Sequence, residues 1–474
     1  MLDYPLDLMA RVLDARVRGK GKGTVARVST DSRTVQAGDL FFALSGERFD
    51  AHQFVADALK KGAVGAVVAG GKAPREAAAA GTLLEVKDPL LALGQLGAWH
   101  RNRYNPRVVA VTGSVGKTTT KDLIASVLSR QWTTLKSPGN LNAEIGLPLT
   151  LLEIRPEHEA VVVEMAMRGT GQIRYLARLA RPEVAAITNI GLSHLEVLGS
   201  QDAIAAAKAE LLDFLPGGGA AVLHGGDKYA GMLKARLRPD VRLLTFGVDE
   251  RETISGKYLG GETMRMGDKG QVLGTRFVLA TAGGRTVDRA WIPLLGKHNV
   301  LNALAAAAVG DALGISWPRI KRGLAAAEIS SMRMAVHPLS DGATILDDAY
   351  NASSPEAMLG ALQVLNDYPG IRKIAVLGNM LELGPASEKA HRQVGEALAG
   401  MKLHHLITVG DLAALIGRTA REGGLPADRI VECVSNDEAL AELARRRRAG
   451  DVVLVKGSRG MAMEAVVRGL REGA

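Results

Sequence analysis

One cysteine, Cys433, occurs in 474 residues, so no intramolecular disulfide can form, and a lone thiol fits a reducing compartment. Aromatic residues make up only 4% of the chain. That leaves few rings on which nucleic-acid bases could stack and implies aliphatic cores. No apolar run reaches the roughly 18 residues that span a bilayer, so membrane insertion is not expected. The opening stretch MLDYPLDLMARVLDARV has no basic segment followed by an apolar one. Asp3 and Asp7 interrupt it, so no secretory leader is expected. A cytoplasmic protein is the expectation.

What is present is an ordinary globular balance, 47% hydrophobic and 23% charged. At roughly 150 residues per domain the length suggests about three domains. The formal net charge is +9 and the sequence pI about 9.6. A polyanionic partner and a phosphorylated or acidic substrate both suit that charge. The densest basic run, Arg445 to Arg448, has no aromatic beside it and reads as a solvated helix end. No nucleic-acid partner is expected.

Short strand and helix signals fill the first hundred residues, with a helical period from Asp88 to Tyr104 that stops before Pro106. Strands and helices then alternate, the pattern of a parallel α/β sheet. Arg107 to Thr112 reads as an apolar strand and Lys117 to Ser129 as a helix. Ala160 to Val163 and Val184 to Thr188 read as further strands, and residues 247 to 289 as a β-rich excursion. A last α/β unit begins near residue 334. The expected domains are 1–87, 88–333 and 334–474.

The most specific local signal is GSVGKT at 113–118, placed after a strand and before a helix. Glycines let the backbone approach phosphate, N–H groups point at its oxygens, and the helix N-terminus adds positive potential. Gly113, Ser114, Val115, Gly116, Lys117, Thr118 and Thr119 are therefore candidate ATP contacts. Lys117 would reach the transferred phosphate and Thr118 would bind Mg²⁺. The standard loop has glycine six residues before the lysine, where Val111 stands here. Other candidates lie near strand ends, where open α/β sheets gather ligands: Glu164, His194, and Lys208 with Glu210 on a following helix. Carboxylate oxygens and one imidazole suit Mg²⁺ beside ATP phosphates.

These stretches resemble the Mur ligase family of peptidoglycan synthesis. The motifs are TGSVGKTTTK (112–121), PGNLNAEIGLPLTLL (138–152), EMAMRGTGQI (164–173) and TNIGLSHLEVLGS (188–200). AKAE (207–210), GKHNVLNALAA (296–306) and DDAYNASSPEAM (347–358) follow in the same order. The resemblance implies a small α/β UDP-binding domain, a central P-loop-type ATPase domain with a mostly parallel sheet, and a C-terminal Rossmann-like α/β domain. Within the family, LGNMLELG (377–384) and LVKGSRGMAME (454–464) are similar to the D-alanyl-D-alanine-adding branch. The Asn-Pro-Arg or Asn-Pro-Lys signature expected of the diaminopimelate- or lysine-adding branch is not found in the C-terminal region. STDSRTVQAGDLFFALSGERFDAHQF (29–54) is similar to the UDP site of the muramoyl ligases.

The resemblance implies that Ser29, Asp31, Ser32 and Arg33 bind the UDP moiety. Glu164 and His194 would help hold Mg²⁺, and Lys208 would become carbamylated to bind a second ion. Asn299 and Asn302 would bind nucleotide, with helix capping as the other reading. Arg333 and Asp348 would close onto ATP, with a surface ion pair as the other reading of Arg333. The implied partners are UDP-N-acetylmuramoyl tripeptide and D-alanyl-D-alanine, used by a monomer through an acyl phosphate. His194 is a metal ligand or a base for the attacking amine. An open ligand-free arrangement is expected. A sibling ligase adding a different amine, or a nucleic-acid-binding ATPase, are the alternatives. Four residues depart from the family pattern: Ala51, Ala143, Ser353 in place of Asn, and Asn379 in place of Asp.

Overall fold

The structure, a computed structural model, describes residues 2–46, 49–73, 75–266, 270–282 and 286–472. Two compact units emerge, and both are α/β. The first comprises Met1–Ala110, Trp132–Met167 and Gln172–Glu183. The second comprises Val111–Gln131, Arg168–Gly171 and Val184–Ala474.

In the first unit, a five-stranded sheet runs in the order Arg16–Arg18, Leu83–Val86, Gly65–Ala69, Asp39–Phe42, Arg27–Ser29. Only the edge pair of Arg16–Arg18 with Leu83–Val86 is antiparallel. The central strands are apolar because both faces are covered. Leu40, Phe42, Val67 and Leu84 pack on one side, and Phe41, Ala66, Val68 and Leu83 on the other. The helix Pro89–Tyr104 starts where Asp88 accepts hydrogen bonds from the N–H groups of Leu90 and Leu91, with Pro89 in the first turn. It ends at Asn105, left-handed with φ 44°, one residue before the proline. Thr134–Lys136 pairs in parallel with Ala160–Glu164.

In the second unit, Val184–Ile187, Ala220–His224 and Arg242–Gly247 form parallel neighbours. The excursion is β-rich as expected: Ile254–Arg265 joins this sheet in parallel beside Arg242–Gly247, and Gln271–Thr281 and Thr286–Ile292 follow as antiparallel strands. Residues 267–269 and 283–285 of that stretch lie outside the described residues. A six-stranded sheet follows, ordered Ala335–Pro338, Thr344–Asp348, Val452–Lys456, Lys373–Gly378, His405–Val409, Ile430–Cys433. It is parallel apart from its first pair. The helix Lys297–Ala312 buries Ala303 and Ala305 to Ala308 completely. Small side chains there let it lie close to the phosphate-loop helix and the sheet. No helix among the described residues is long and apolar enough to cross a membrane.

Candidate functional site

The strand Arg107–Thr112 leads into a turn through Gly113 (φ 145°) and Gly116 (φ 85°), and the helix Lys117–Leu128 begins at once. Glycine is required at both bends. A Cβ on Gly113 would lie 1.9 Å from Thr188 Oγ1, and one on Gly116 2.4 Å from Asn302 Oδ1. The loop is pinned by the next strand's exit. The Ser114 N–H donates to the Asn189 carbonyl at 3.0 Å, and the Val115 N–H to Asn189 Oδ1 at 3.0 Å. The Val115 carbonyl accepts from Thr188 Oγ1 and Asn189 Nδ2. Ser114 and Val115 thus direct their N–H groups to Asn189 and shape the loop. The helix start, from Lys117 through Thr119, supplies the outward-pointing N–H groups. Asn189 lies in a recognised motif, but no spacing rule singles it out.

Two ammonium groups converge on one carbonyl. Lys117 Nζ donates to the carbonyls of Gly113 (2.9 Å) and Ser114 (3.1 Å), and Lys208 Nζ donates to that of Gly113 at 2.9 Å. Lys208 is only 1% exposed. Burial holds its ammonium well below the ordinary lysine value, and the Lys117 charge pushes the same way. Glu210, two residues on, accepts from the Gly171 N–H at 3.0 Å.

The chain's later part reaches this loop. Arg333 Nη2 donates to Thr118 Oγ1 at 3.2 Å, and its guanidinium lies 4.0 Å above the Tyr350 ring. Met332 and Met334, on either side, are both left-handed at φ 56°. Asp348 accepts from the Met334 N–H at 3.2 Å and from the buried Lys456 ammonium at 2.6 Å. Ser353, where an Asn was expected, bonds Ser193 at 3.0 Å. Thr118 and Tyr350 both offer the Arg333 cation a partner.

Asn302 Nδ2 donates to Asn299 Oδ1, Asn299 Nδ2 to the Leu295 carbonyl, and Thr120 Oγ1 to Asn302 Oδ1. The two asparagines tie their helix to the phosphate-loop helix. Gly296 is the helix cap, so side-chain capping is not their role. His194 is left-handed at φ 67°, and its Nδ1 lies 3.0 Å from Glu382 Oε2. The other departure in this part, Asn379, donates to Asp411 Oδ1 at 3.0 Å and accepts from the Ala413 N–H at 2.7 Å. The basic run is engaged locally: Arg445 and Arg446 pair with Glu442, and Arg447 with Asp341.

In the first unit, Glu164 ends its strand. Its Oε1 accepts from Asn142 Nδ2 at 2.8 Å, while its Oε2 is buried without a hydrogen-bond partner. The proposed UDP residues form one tight turn. The Asp31 N–H donates to Ser29 Oγ, Asp31 accepts from the Arg33 backbone and side chain, and Lys61 donates to the Ser32 carbonyl. Those bonds from Arg33 hold the Asp31 carboxyl down at about 2. Ala51, the departure there, opens a short 3₁₀ turn capped by Asp50. The carbonyl of Ala143 accepts from the Leu147 N–H. Among the described residues no three His, Cys, Asp or Glu side chains converge to hold a metal ion.

Three stretches match models of one family. Residues 24–101 match the Mur ligase family catalytic domain, 111–310 the Mur ligase middle domain, and 332–459 the Mur ligase glutamate ligase domain. The UDP-N-acetylmuramoyl-tripeptide–D-alanyl-D-alanine ligase of Escherichia coli (strain K12) is 36% identical over 480 residues, covering 100% of this chain and 99% of its own. A crystal structure of MurF from Acinetobacter baumannii is 33% identical with a TM-score of 0.85 and covers 99% of both chains. MurF ligase from Thermotoga maritima, solved in complex with ADP, is 28% identical with a TM-score of 0.78, covering 94% of this chain and 97% of its own.

Proposed function

The chain belongs to the Mur ligase family, and we propose that it is the ATP-dependent amide ligase that joins D-alanyl-D-alanine to UDP-N-acetylmuramoyl tripeptide. The observation that carries this reading is the 36% identity running over the whole length of both chains. We assign it to the cytoplasm, as a monomer.

The reaction begins with transfer of the ATP γ-phosphoryl group to the tripeptide's terminal carboxylate, giving an acyl phosphate and ADP. The amine of D-alanyl-D-alanine then attacks that carbonyl. The tetrahedral intermediate expels phosphate and leaves an amide. The first step brings two anions together. Two like unit charges 4 Å apart repel by about 4 kcal/mol at an effective dielectric of 20, so fixed cations must offset them. Lys117 heads the phosphate loop, and Arg333 already touches Thr118 beside it. Both are positioned to stabilise the transferred group.

The residues present fit Mg²⁺. Glu164 carries a buried carboxylate oxygen without a partner, which a cation would satisfy. Mg²⁺ usually keeps several waters and substrate phosphates among its ligands. The residues assigned to it are Thr118, Glu164, His194 and, once carbamylated, Lys208; bound there it would neutralise phosphate charge. Lys208 suits carbamylation because burial favours its neutral amine, the form that adds CO₂ with loss of a proton. Ser29, Asp31, Ser32 and Arg33 are assigned to the uridine diphosphate, and Asn299, Asn302 and Asp348 to ATP.

The test is phosphate release from ATP and Mg²⁺ with UDP-N-acetylmuramoyl tripeptide, with and without D-alanyl-D-alanine. Release that needs the dipeptide, with a product heavier by one dipeptide, supports the assignment. Release driven instead by a free amino acid moves the chain to a sibling branch.

A further inference from the structure

We propose that Glu382 is a positioning residue that sets the tautomer and aim of His194, and does so only while the chain's last α/β part is docked on its central part. The proposal deepens the ligase reading and rests on it.

His194 and Glu382 are both left-handed non-glycine residues, at φ 67° and 66°. Such backbones are uncommon and persist where surrounding contacts over-determine them. The contacts here are mutual. His194 Nδ1 lies 3.0 Å from Glu382 Oε2, and the Glu196 N–H points at the Glu382 carbonyl at 3.4 Å. Gly384 packs so closely that a Cβ there would lie 3.1 Å from Glu196 Cα. Two strained loops therefore present one side-chain pair to each other.

Stability does not explain the arrangement. The Glu382 side chain is 47% exposed, and exposed ion pairs contribute little. Orientation does. A carboxylate accepts only, so the Nδ1–H must donate to it, and in the neutral ring Nε2 carries the lone pair. That nitrogen is the one left to ligate a cation or take the amine's proton. Carboxylate–histidine pairs of this kind fix ring orientation and raise ligand basicity. Because Glu382 lies in the 334–474 part and His194 in the 88–333 part, separating those parts releases the ring.

The experiment uses the full chain labelled with ¹⁵N-histidine, with His194 identified by its loss in His194→Gln. Long-range ¹H–¹⁵N spectra read the tautomer without any substrate. Wild type should show Nδ1–H, and Glu382→Ala should move His194 toward Nε2–H or a mixture. Turnover of Glu382→Ala should fall between about 10- and 100-fold in kcat, with KM for ATP changed less than about twofold. Glu382→Gln, whose amide oxygen still accepts, should recover most of both. An Nε2–H tautomer in wild type overturns the proposal outright, even if Glu382→Ala does not fold. So does a loss of kcat in Glu382→Ala with the His194 spectrum unchanged. Absence of turnover by wild type with every amine would count against the ligase reading, while the spectra would still judge the pair.

Discussion

Lys117 and Lys208 donate to the same acceptor, the carbonyl of Gly113, each at 2.9 Å. Lys117 heads the phosphate-loop helix, whereas Lys208 is buried. Because burial disfavours the Lys208 ammonium, the folded chain gives up that proton below the ordinary lysine value of 10.5. The unfolded chain keeps it. Between the folded value and 10.5 the unfolded state binds more protons, so this residue's contribution to stability rises with pH. Lys208→Met in CO₂-free buffer should melt at or above the wild-type temperature near pH 7. That advantage should shrink as pH climbs toward 10.5. Ligase turnover should fall by roughly 10²-fold or more, because the carbamate cannot form. Parallel thermal melts and phosphate-release assays check both halves.

Arg333 joins two parts of the site at once, through Thr118 Oγ1 and the face of Tyr350. Arg333→Ala should lower kcat/KM for ATP by roughly 10²-fold, the loss typical of one transition-state donor. Affinity for the UDP-linked substrate, measured by calorimetry without ATP, should be unchanged. Arg333→Lys should recover little, because an ammonium cannot stack on the ring and donate sideways as a planar guanidinium does. Equal loss of ATP use and UDP-ligand affinity would contradict the separate roles assigned to the two ends of the chain.

The parts of the site that a reader of the sequence could name are those written in short-range spacing. Gly113, Gly116, Lys117 and Thr118 follow one another across a strand–helix turn, and Asp88 with Pro89 announces a helix start within two residues. The fold class was legible for the same reason, since apolar strands and helices alternate locally. The residues that escaped notice act at long range. Asn189 pins Val115 from 74 residues away, and Lys456 reaches Asp348 across 108. Glu382 sits inside a motif that was read only as a branch signature. Tyr350 and Thr118, which hold Arg333, are far apart in sequence, and no periodicity links them.

His391 supports the loop that carries Glu382. Its Nε2 accepts from the Met380 N–H at 2.9 Å, and its Nδ1–H donates to the Ser387 carbonyl at 2.6 Å. Burial keeps its folded value below the ordinary 6.5. As pH falls below 6.5 the unfolded chain takes up a proton first, so the unfolded state binds more protons and the folded state loses stability. Replacing it by His391→Phe leaves the Met380 N–H without its acceptor, at a cost of about 1–3 kcal/mol near pH 7. The variant lacks the titrating group, so the gap in unfolding free energy should narrow from pH 7 downward through the folded value. Denaturant unfolding at several pH values measures it, and a gap that widens in acid would contradict the assigned protonation.

Asn379 stands where the family resemblance implies an aspartate, and its amide bridges two partners. Its Nδ2 donates to Asp411 Oδ1 while its Oδ1 accepts from the Ala413 N–H, so each end of the amide meets the opposite partner. Asn379→Asp keeps the acceptor facing Ala413 but replaces the donor with a second carboxylate oxygen against Asp411. Asn379 is buried while Asp411 is exposed, so burial of the new carboxyl acts more strongly than the screened repulsion. The new carboxyl is thereby pushed above its unfolded value of about 3.9. A raised folded value means that the folded state binds more protons between the two values. The loss from the broken donor and the like charges is therefore full at pH 7. Part of it should return as pH falls through the raised folded value. Denaturant unfolding at pH 7 and pH 4.5 separates the outcomes. A variant equally stable at both pH values would mean that Asp411 turns away and the amide's donor is dispensable.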